Sequence, residues 1–249
     1  MLKGSIGIIL KSIPYSESSI ISRIFTPNFG KISIISRGAK KANNGKFAML
    51  EPMNIVEFQM NFNESKDLHT LHEISIKYNL SKIRTNIKTM ALGLVMIEIL
   101  DKTSHQSDPA PILYRLLESS IIKLNNPNNE NRLLFIFYLL QFSKYSGFSP
   151  VSNNCHNCKN ELSSAFYNIK SGFLDCKNCQ SVESLNINSN TFLLMKKISK
   201  THIKSLNEIE FFENTLELIK KYLIKFMEFH IHGMQNIKSL TFLNSIMHK

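Results

Sequence analysis

Ile20-Ile-Ser-Arg-Ile-Phe-Thr-Pro-Asn-Phe-Gly-Lys-Ile-Ser-Ile-Ile35 decides the N-terminal fold of this 249-residue chain. β-Branched residues dominate both halves, Thr26-Pro-Asn-Phe-Gly30 supplies turn chemistry between them, and Lys31 opens the second run at once. The stretch therefore reads as two short strands joined by a hairpin. Outward from it, Ile6, Ile8 and Leu10 alternate with smaller residues, and Leu71, Ile74, Ile76 and Tyr78 supply a last strand. Met53, Ile55, Val56, Phe58 and Met60 alternate as well, but slip phase between Ile55 and Val56, which predicts a bulge in a curved strand. Five curved antiparallel strands within residues 1–80 predict a small closed barrel, with the oligonucleotide-binding (OB) fold as the five-stranded template and an SH3-like barrel as its competitor.

From Ser81 the apolar period becomes helical. Ile87, Met90, Ala91, Leu94, Ile97 and Ile99 predict a helix that stops near Asp101, and residues 109–124 and 130–146 predict two more. Helices resume at 189–200, 206–229 and 237–247, so 81–249 reads as a helical domain. Phe192, Met195, Phe226, Met227 and Phe229 recur there at helical spacing and are assigned to its core.

Between the helices stand the only four cysteines, Cys155-His-Asn-Cys158 and Cys176-Lys-Asn-Cys179. Each pair can place two thiolates on one tight turn. The intervening Ala165–Ile169 and Phe173-Leu174, around Lys170-Ser-Gly172, read as a hairpin that returns the second turn to the first. This is the pattern of a zinc ribbon, inserted at 152–182, with Cys155, Cys158, Cys176 and Cys179 as ligands of one structural Zn2+. Four thiolates leave no coordination position for an activated water. Asn157 and Asn178 hold matching places in the two turns and are expected in left-handed conformation, aiming amides at sulfur. His156 is read as an exposed bystander. The alternative, a disulfide pair, suits an oxidising compartment. The N-terminal apolar run is too short for a secretion signal, and no run approaches the roughly 18 residues of a membrane span, so a cytoplasmic protein without membrane partners is expected.

Net charge is +11 with 30 Lys and Arg against 19 Asp and Glu, which favours polyanionic partners, although an AT-rich genome would also inflate lysine. The distribution is more telling than the sum. Ser18–Leu50 holds Arg23, Lys31, Arg37, Lys40, Lys41 and Lys46 and no acid, so these six become candidate DNA contacts, with Arg37-Gly-Ala-Lys-Lys41 and the following Asn43-Asn-Gly45 read as a mobile loop leaving the third strand. Phe29 and Phe47 flank it and could stack on bases, but are assigned to the core. A second acid-free run, Lys196, Lys197, Lys200 and Lys204, offers further candidates, the first three near one helix face. No glycine-rich phosphate loop, Gly-x-Ser-x-Gly, His-Glu-x-x-His or deaminase motif occurs, and His230-Ile-His232 has a spacing that parts its rings on a helix. A binding protein rather than an enzyme is expected.

Tyr15-Ser-Glu17, Thr26–Gly30, Arg37-Gly-Ala-Lys-Lys41, Leu68–Glu73 and His230-Ile-His-Gly-Met-Gln-Asn-Ile-Lys-Ser-Leu240 together resemble, in order, stretches of the RecO family of bacterial recombination mediators. The cysteine pairs fall where many members carry a ribbon. The chain departs from the family after Lys41, where Ala42-Asn-Asn-Gly45 replaces a serine and further basic residues. The resemblance implies an α+β chain: an OB-fold DNA-binding domain at 1–80, then a helical domain with an inserted four-cysteine zinc ribbon. It also implies DNA repair and recombination in the bacterial cytoplasm, at the nucleoid. Members bind single- and double-stranded DNA, anneal complementary strands without ATP, and with RecR help load RecA on strands coated by single-stranded DNA-binding protein. The competing readings are an OB and zinc-ribbon docking module of RNA or transcription machinery, and a metal-dependent hydrolase with an open metal site.

Overall fold

The computed structural model describes residues 1–41, 45–127 and 130–247; Ala42–Asn44 of the basic loop, and 128–129 of the Asn-rich link, lie outside them. The first elements are β1 (Leu2–Tyr15), β2 (Ser19–Thr26), β3 (Gly30–Ser36), α1 (Lys46–Met49), β4 (Ile55–Asn61) and β5 (Leu68–Ile76). They form a closed, OB-fold-like barrel in the order β1-β2-β3-β5-β4. One seam differs from the expected antiparallel set: β3 and β5 run parallel, pairing Ser33 with Leu68 and Ile35 with Thr70. The reason is the crossover through α1 and β4, which lets β5 enter beside β3 from the same end.

Ile9, Ile24, Ile32, Ile34, Val56, Phe58 and Met60 cluster as the barrel core. Ile55 is not in that cluster and yet is fully buried, as is its cross-strand partner Ile8. The phase slip at Ile55/Val56 is thus burial on both faces of the strand, one inside the barrel and one beneath helices, and no bulge sits there. The register instead shifts opposite Gln59/Met60 on the β4–β5 seam, and again between Ile9 and Lys11 on β1.

The helical elements are α2 (Ser81–Arg84), α3 (Ile87–Thr103), α4 (Pro111–Leu124), α5 (Asn131–Tyr145), α6 (Ser189–Lys200), α7 (Glu213–His230) and α8 (Lys238–Met247). Asn86 and Asn188 cap α3 and α6 through their side chains, as expected of asparagine at that position. The helix expected over 206–229 divides into a 3-10 turn at Ile203–Glu208, an extended link and α7.

Two compact units result. One comprises residues 1–127 with 236–249, the other residues 128–235. α3 packs on β1, α4 on β2 and α8 on α3 within the first. Gly30 explains the close joint between the barrel and the segment after α3: its φ is +63°, and a Cβ there would lie 2.2 Å from the Asp108 carbonyl oxygen. The second unit holds α5–α7 and a sheet β7-β6-β8, from β6 (Ala165–Asn168), β7 (Phe173–Asp175) and β8 (Leu185–Ile187). The hairpin was legible in the sequence; β8 was not.

Candidate nucleic-acid interface and metal centre

The six basic candidates of the barrel separate into two groups. Arg37 and Lys41 are exposed just beyond the end of β3, flanking Ala39, which is 1% exposed and joins the barrel core. Lys40 turns onto the β1–β2 turn: its amide donates to the Ser18 carbonyl (3.0 Å) and its Nζ to that of Ser16 (2.8 Å). Lys46, in α1, donates through Nζ to the His72 carbonyl of β5 (3.3 Å). The segment up to Lys41 is therefore anchored at both backbone and side chain, against the mobile loop expected.

Arg23 and Lys31 serve a different end. Lys31, the second residue of β3, is 9% exposed, and its Nζ donates to the carbonyls of Asp101 and Ser104, both at 2.6 Å. Burial lowers its pKa, an effect only partly countered by the Asp101 carboxylate. Arg23 Nη1 lies 3.0 Å from Asp101 Oδ1. An ammonium held by the last carbonyls of a helix fastens β3 to α3. Lys31 is therefore poorly placed to meet a phosphate, with two of its three donors engaged and its charge desolvated.

Of the flanking rings, Phe29 packs on the barrel core and stands 5.0 Å from Phe62, whereas Phe47 is 56% exposed, contrary to its core assignment. Tyr15, noted in the sequence only as part of Tyr15-Ser-Glu17 and not as a site residue, is 54% exposed beside the turn that Lys40 grips. Its signal was an aromatic residue directly before a Ser-Glu-Ser-Ser turn.

In the second unit, the Sγ atoms of Cys155, Cys158, Cys176 and Cys179 all lie within 4.8 Å of one another, with Cys158 and Cys176 at 3.6 Å. A tetrahedral thiolate shell at about 2.3 Å from its metal requires sulfurs about 3.8 Å apart, so the four can hold a metal ion. Backbone supports the same conclusion. Burial would raise the pKa of Cys155, but amides of Cys158, Cys176 and Asn157 outweigh it and bring the thiol to about 7. Its sulfur neighbours, Cys176 and Cys158 foremost, push Cys179 up to about 12. Four thiolates this close need a cation.

The left-handed residue is Lys159, at φ +64°, and neither Asn157 nor Asn178 has positive φ. Asn157 acts through its side chain instead, donating from Nδ2 to Oδ1 of Asp175 (2.9 Å), a fully buried carboxylate next to Cys176 that ties the first knuckle to the second. The ribbon docks on α7 through Gly172, whose carbonyl lies 2.7 Å from His230 Nε2. At φ +76°, with Phe229 carbons 2.3 Å from where a Cβ would stand, only glycine fits at Gly172. His230 thus packs, as its spacing with His232 suggested.

The second lysine run is divided too. Lys196 Nζ donates to the Leu162 carbonyl (3.3 Å) and lies 4.5 Å from the Phe192 ring centroid, while Lys197 and Lys200 are exposed on α6. Lys204 is exposed on the 3-10 turn, off the helix. Lys144, Lys196 and Lys200 line a pocket of about 200 Å³ whose walls include Leu140 and Pro150. Among the described residues no helix is long and apolar enough to cross a membrane.

Residues 1–80 match the family model described as Recombination protein O N terminal, and residues 84–241 the one described as Recombination protein O C terminal. The DNA repair protein RecO of Bacillus pumilus is 27% identical over 248 residues, covering 99% of this chain and 95% of the relative. That of Syntrophus aciditrophicus is 27% identical over 246 residues, 96% and 94% of the two chains. That of Prosthecochloris aestuarii is 28% identical over 141 residues, where the match spans 57% of this chain and about half, 53%, of the relative.

Proposed function

The chain belongs to the RecO family of DNA repair proteins, and from that premise we propose that it binds single- and double-stranded DNA and anneals complementary strands without ATP. The observation that carries this reading is the segregated basic end of the barrel, where Arg37 and Lys41 are exposed and Lys40 and Lys46 half-buried, in an acid-free stretch from Ser18 to Leu50. Cations there would neutralise phosphates on two strands at once, lowering their mutual repulsion so that pairing nucleates. No group on this surface needs to make or break a covalent bond, and the protein acts as a binding protein rather than an enzyme.

We further propose that the four thiolates hold one Zn2+, which would supply a closed structural tether and no reactive coordination position. With RecR, the protein would load RecA on strands coated by single-stranded DNA-binding protein. The acidic tail of that coating protein would dock on the helical domain, where the pocket lined by Lys144, Lys196 and Lys200 pairs charge with apolar walls.

The test is annealing of two complementary labelled oligonucleotides, bare and coated, across a salt series. Acceleration of coated strands that fades with salt is the expected result. Arg37→Glu and Lys41→Glu each reverse an exposed charge without touching the Lys40 anchor, and each should lower the logarithmic salt slope of binding by about one. No acceleration in any condition would favour instead a docking module of RNA or transcription machinery.

A further inference from the structure

The second unit exposes aromatic surface that neither the metal centre nor the core requires. His156 and Phe173 stand ring on ring, with centroids 3.9 Å apart and planes within 1° of parallel. Phe173 is 42% exposed, Phe229 50% and Phe148 37%, and His156 faces solvent. His230 joins these rings, 5.6 Å from Phe173, 4.9 Å from Phe229 and 5.2 Å from Phe148. The stack is rigidly placed. The His156 amide donates to the Leu174 carbonyl (2.9 Å), which fixes the knuckle over β7, and the hairpin itself is held at Gly172 by His230.

His156 lies between two thiolates in a set of four, so coordination does not call on its ring. Exposed rings kept flat and parallel in a rigid frame are a costly way to decorate a surface unless something covers them. What covers them is constrained by shape and charge. A third planar ring at the same spacing continues a parallel stack, whereas an aliphatic side chain gains nothing from coplanarity. Two exposed lysines belong to the knuckles, Lys159, whose Nζ donates to the His156 carbonyl, and Lys177 beside Cys176. Of the ribbon's acids, Asp175 is buried and Glu183 is paired with Lys170 of the hairpin turn at 3.3 Å, which leaves Glu161 exposed. A flat ring carried on an anionic backbone satisfies both demands, and its rings must be unpaired to be available.

We propose that the His156–Phe173 stack is a base-stacking platform for single-stranded DNA on the ribbon, a contact separate from the basic end of the barrel. It deepens the DNA-binding reading and rests on it, but through different residues and a different force. The barrel contributes charge and is blind to bases; the ribbon contributes stacking and needs them.

The experiment measures affinity of the full-length, metal-loaded chain for oligothymidylate and for an abasic deoxyribose-phosphate strand of equal length. Stacking of one base should favour the thymidylate by about tenfold. His156→Ala and Phe173→Leu should each remove most of that preference while leaving abasic binding unchanged. Lys41→Glu should weaken both strands alike and preserve the preference. An unchanged preference in His156→Ala and Phe173→Leu chains that retain their metal overturns the platform. So does a wild-type chain that binds both strands equally. If His156→Ala loses metal, His156→Tyr, which keeps a flat ring, decides: a retained preference supports the platform, and a lost one with metal bound overturns it. Failure of Lys41→Glu to weaken either strand would instead count against the barrel alone.

Discussion

Lys31 illustrates how one residue's environment decides between two uses of the same charge. Its position in an acid-free run made it a phosphate contact on sequence grounds, as it made Lys41 one. Folding separates them, because Lys31 lies near the start of β3 against the end of α3 and gives two hydrogen bonds from its Nζ to carbonyls, while Lys41 stays exposed. Lys31→Met keeps the stem and removes the donor, leaving two carbonyls without partners. It should cost about 1–3 kcal/mol and lower the thermal midpoint by several degrees, without altering the salt dependence of DNA binding. A variant of wild-type stability with weakened DNA binding would return Lys31 to the interface. The same distinction could not be read from the chain, since Asp101 and Ser104, which consume the ammonium, lie some seventy residues on. Cysteine spacing, in contrast, is a local signal. The ligand set was legible at once, whereas Asp175, which ties the knuckles through Asn157, has no signature beyond being an acid beside a cysteine.

Among elements, α8 depends most on a single distant group. Its first amides, of Lys238 and Ser239, and the Ser239 hydroxyl all donate to the Glu98 carboxylate of α3, at 3.2, 2.8 and 2.6 Å. A carboxylate at a helix N-terminus meets orphan donors and the positive end of the dipole. Burial alone would raise the pKa of Glu98, but hydrogen bonds from Ser239 and Lys238 prevail and lower it. A lowered folded-state pKa gives stabilisation that is complete above the ordinary value of 4.5 and is lost as pH falls through the folded value. Glu98→Gln should therefore be less stable near neutrality, by about 1–2 kcal/mol. Denaturant titrations should also show its stability falling less steeply than wild type below about pH 4.5. Equal acid sensitivity in the two chains would refute the assignment. Strand alternation and helical period made most elements legible. They failed at 206–212, where Leu206 and Ile209 are buried as a helical period would demand, yet the backbone is the end of a 3-10 turn followed by an extended link. Periodicity reports which residues are buried, not which backbone buries them.

For the molecule as a whole, the chain leaves the barrel's unit after Pro127 and rejoins it at Asn236. The strand-to-helix change at residue 80 is what the sequence displays, whereas this partition depends on α8 packing against α3, a contact between distant segments that no local pattern announces. All four thiolates fall inside the 128–235 unit. The ribbon sheet is small, with three short strands of 4, 3 and 3 residues, and too little apolar surface to order the knuckles by itself. Its order should therefore be metal-dependent, while the barrel, with a continuous ring of paired strands and its own core, should not notice the metal. Stripping the metal with a chelator at neutral pH should leave amides of β1–β5 protected in hydrogen exchange, and should release those from Cys155 to Cys179 toward the exchange rate of an unfolded chain. The stripped chain should keep the Lys41-dependent, salt-sensitive part of DNA binding and lose its preference for bases over an abasic backbone. Loss of protection in the barrel on chelation would mean that the two units fold as one, and that the metal stabilises the whole chain rather than the ribbon that holds it.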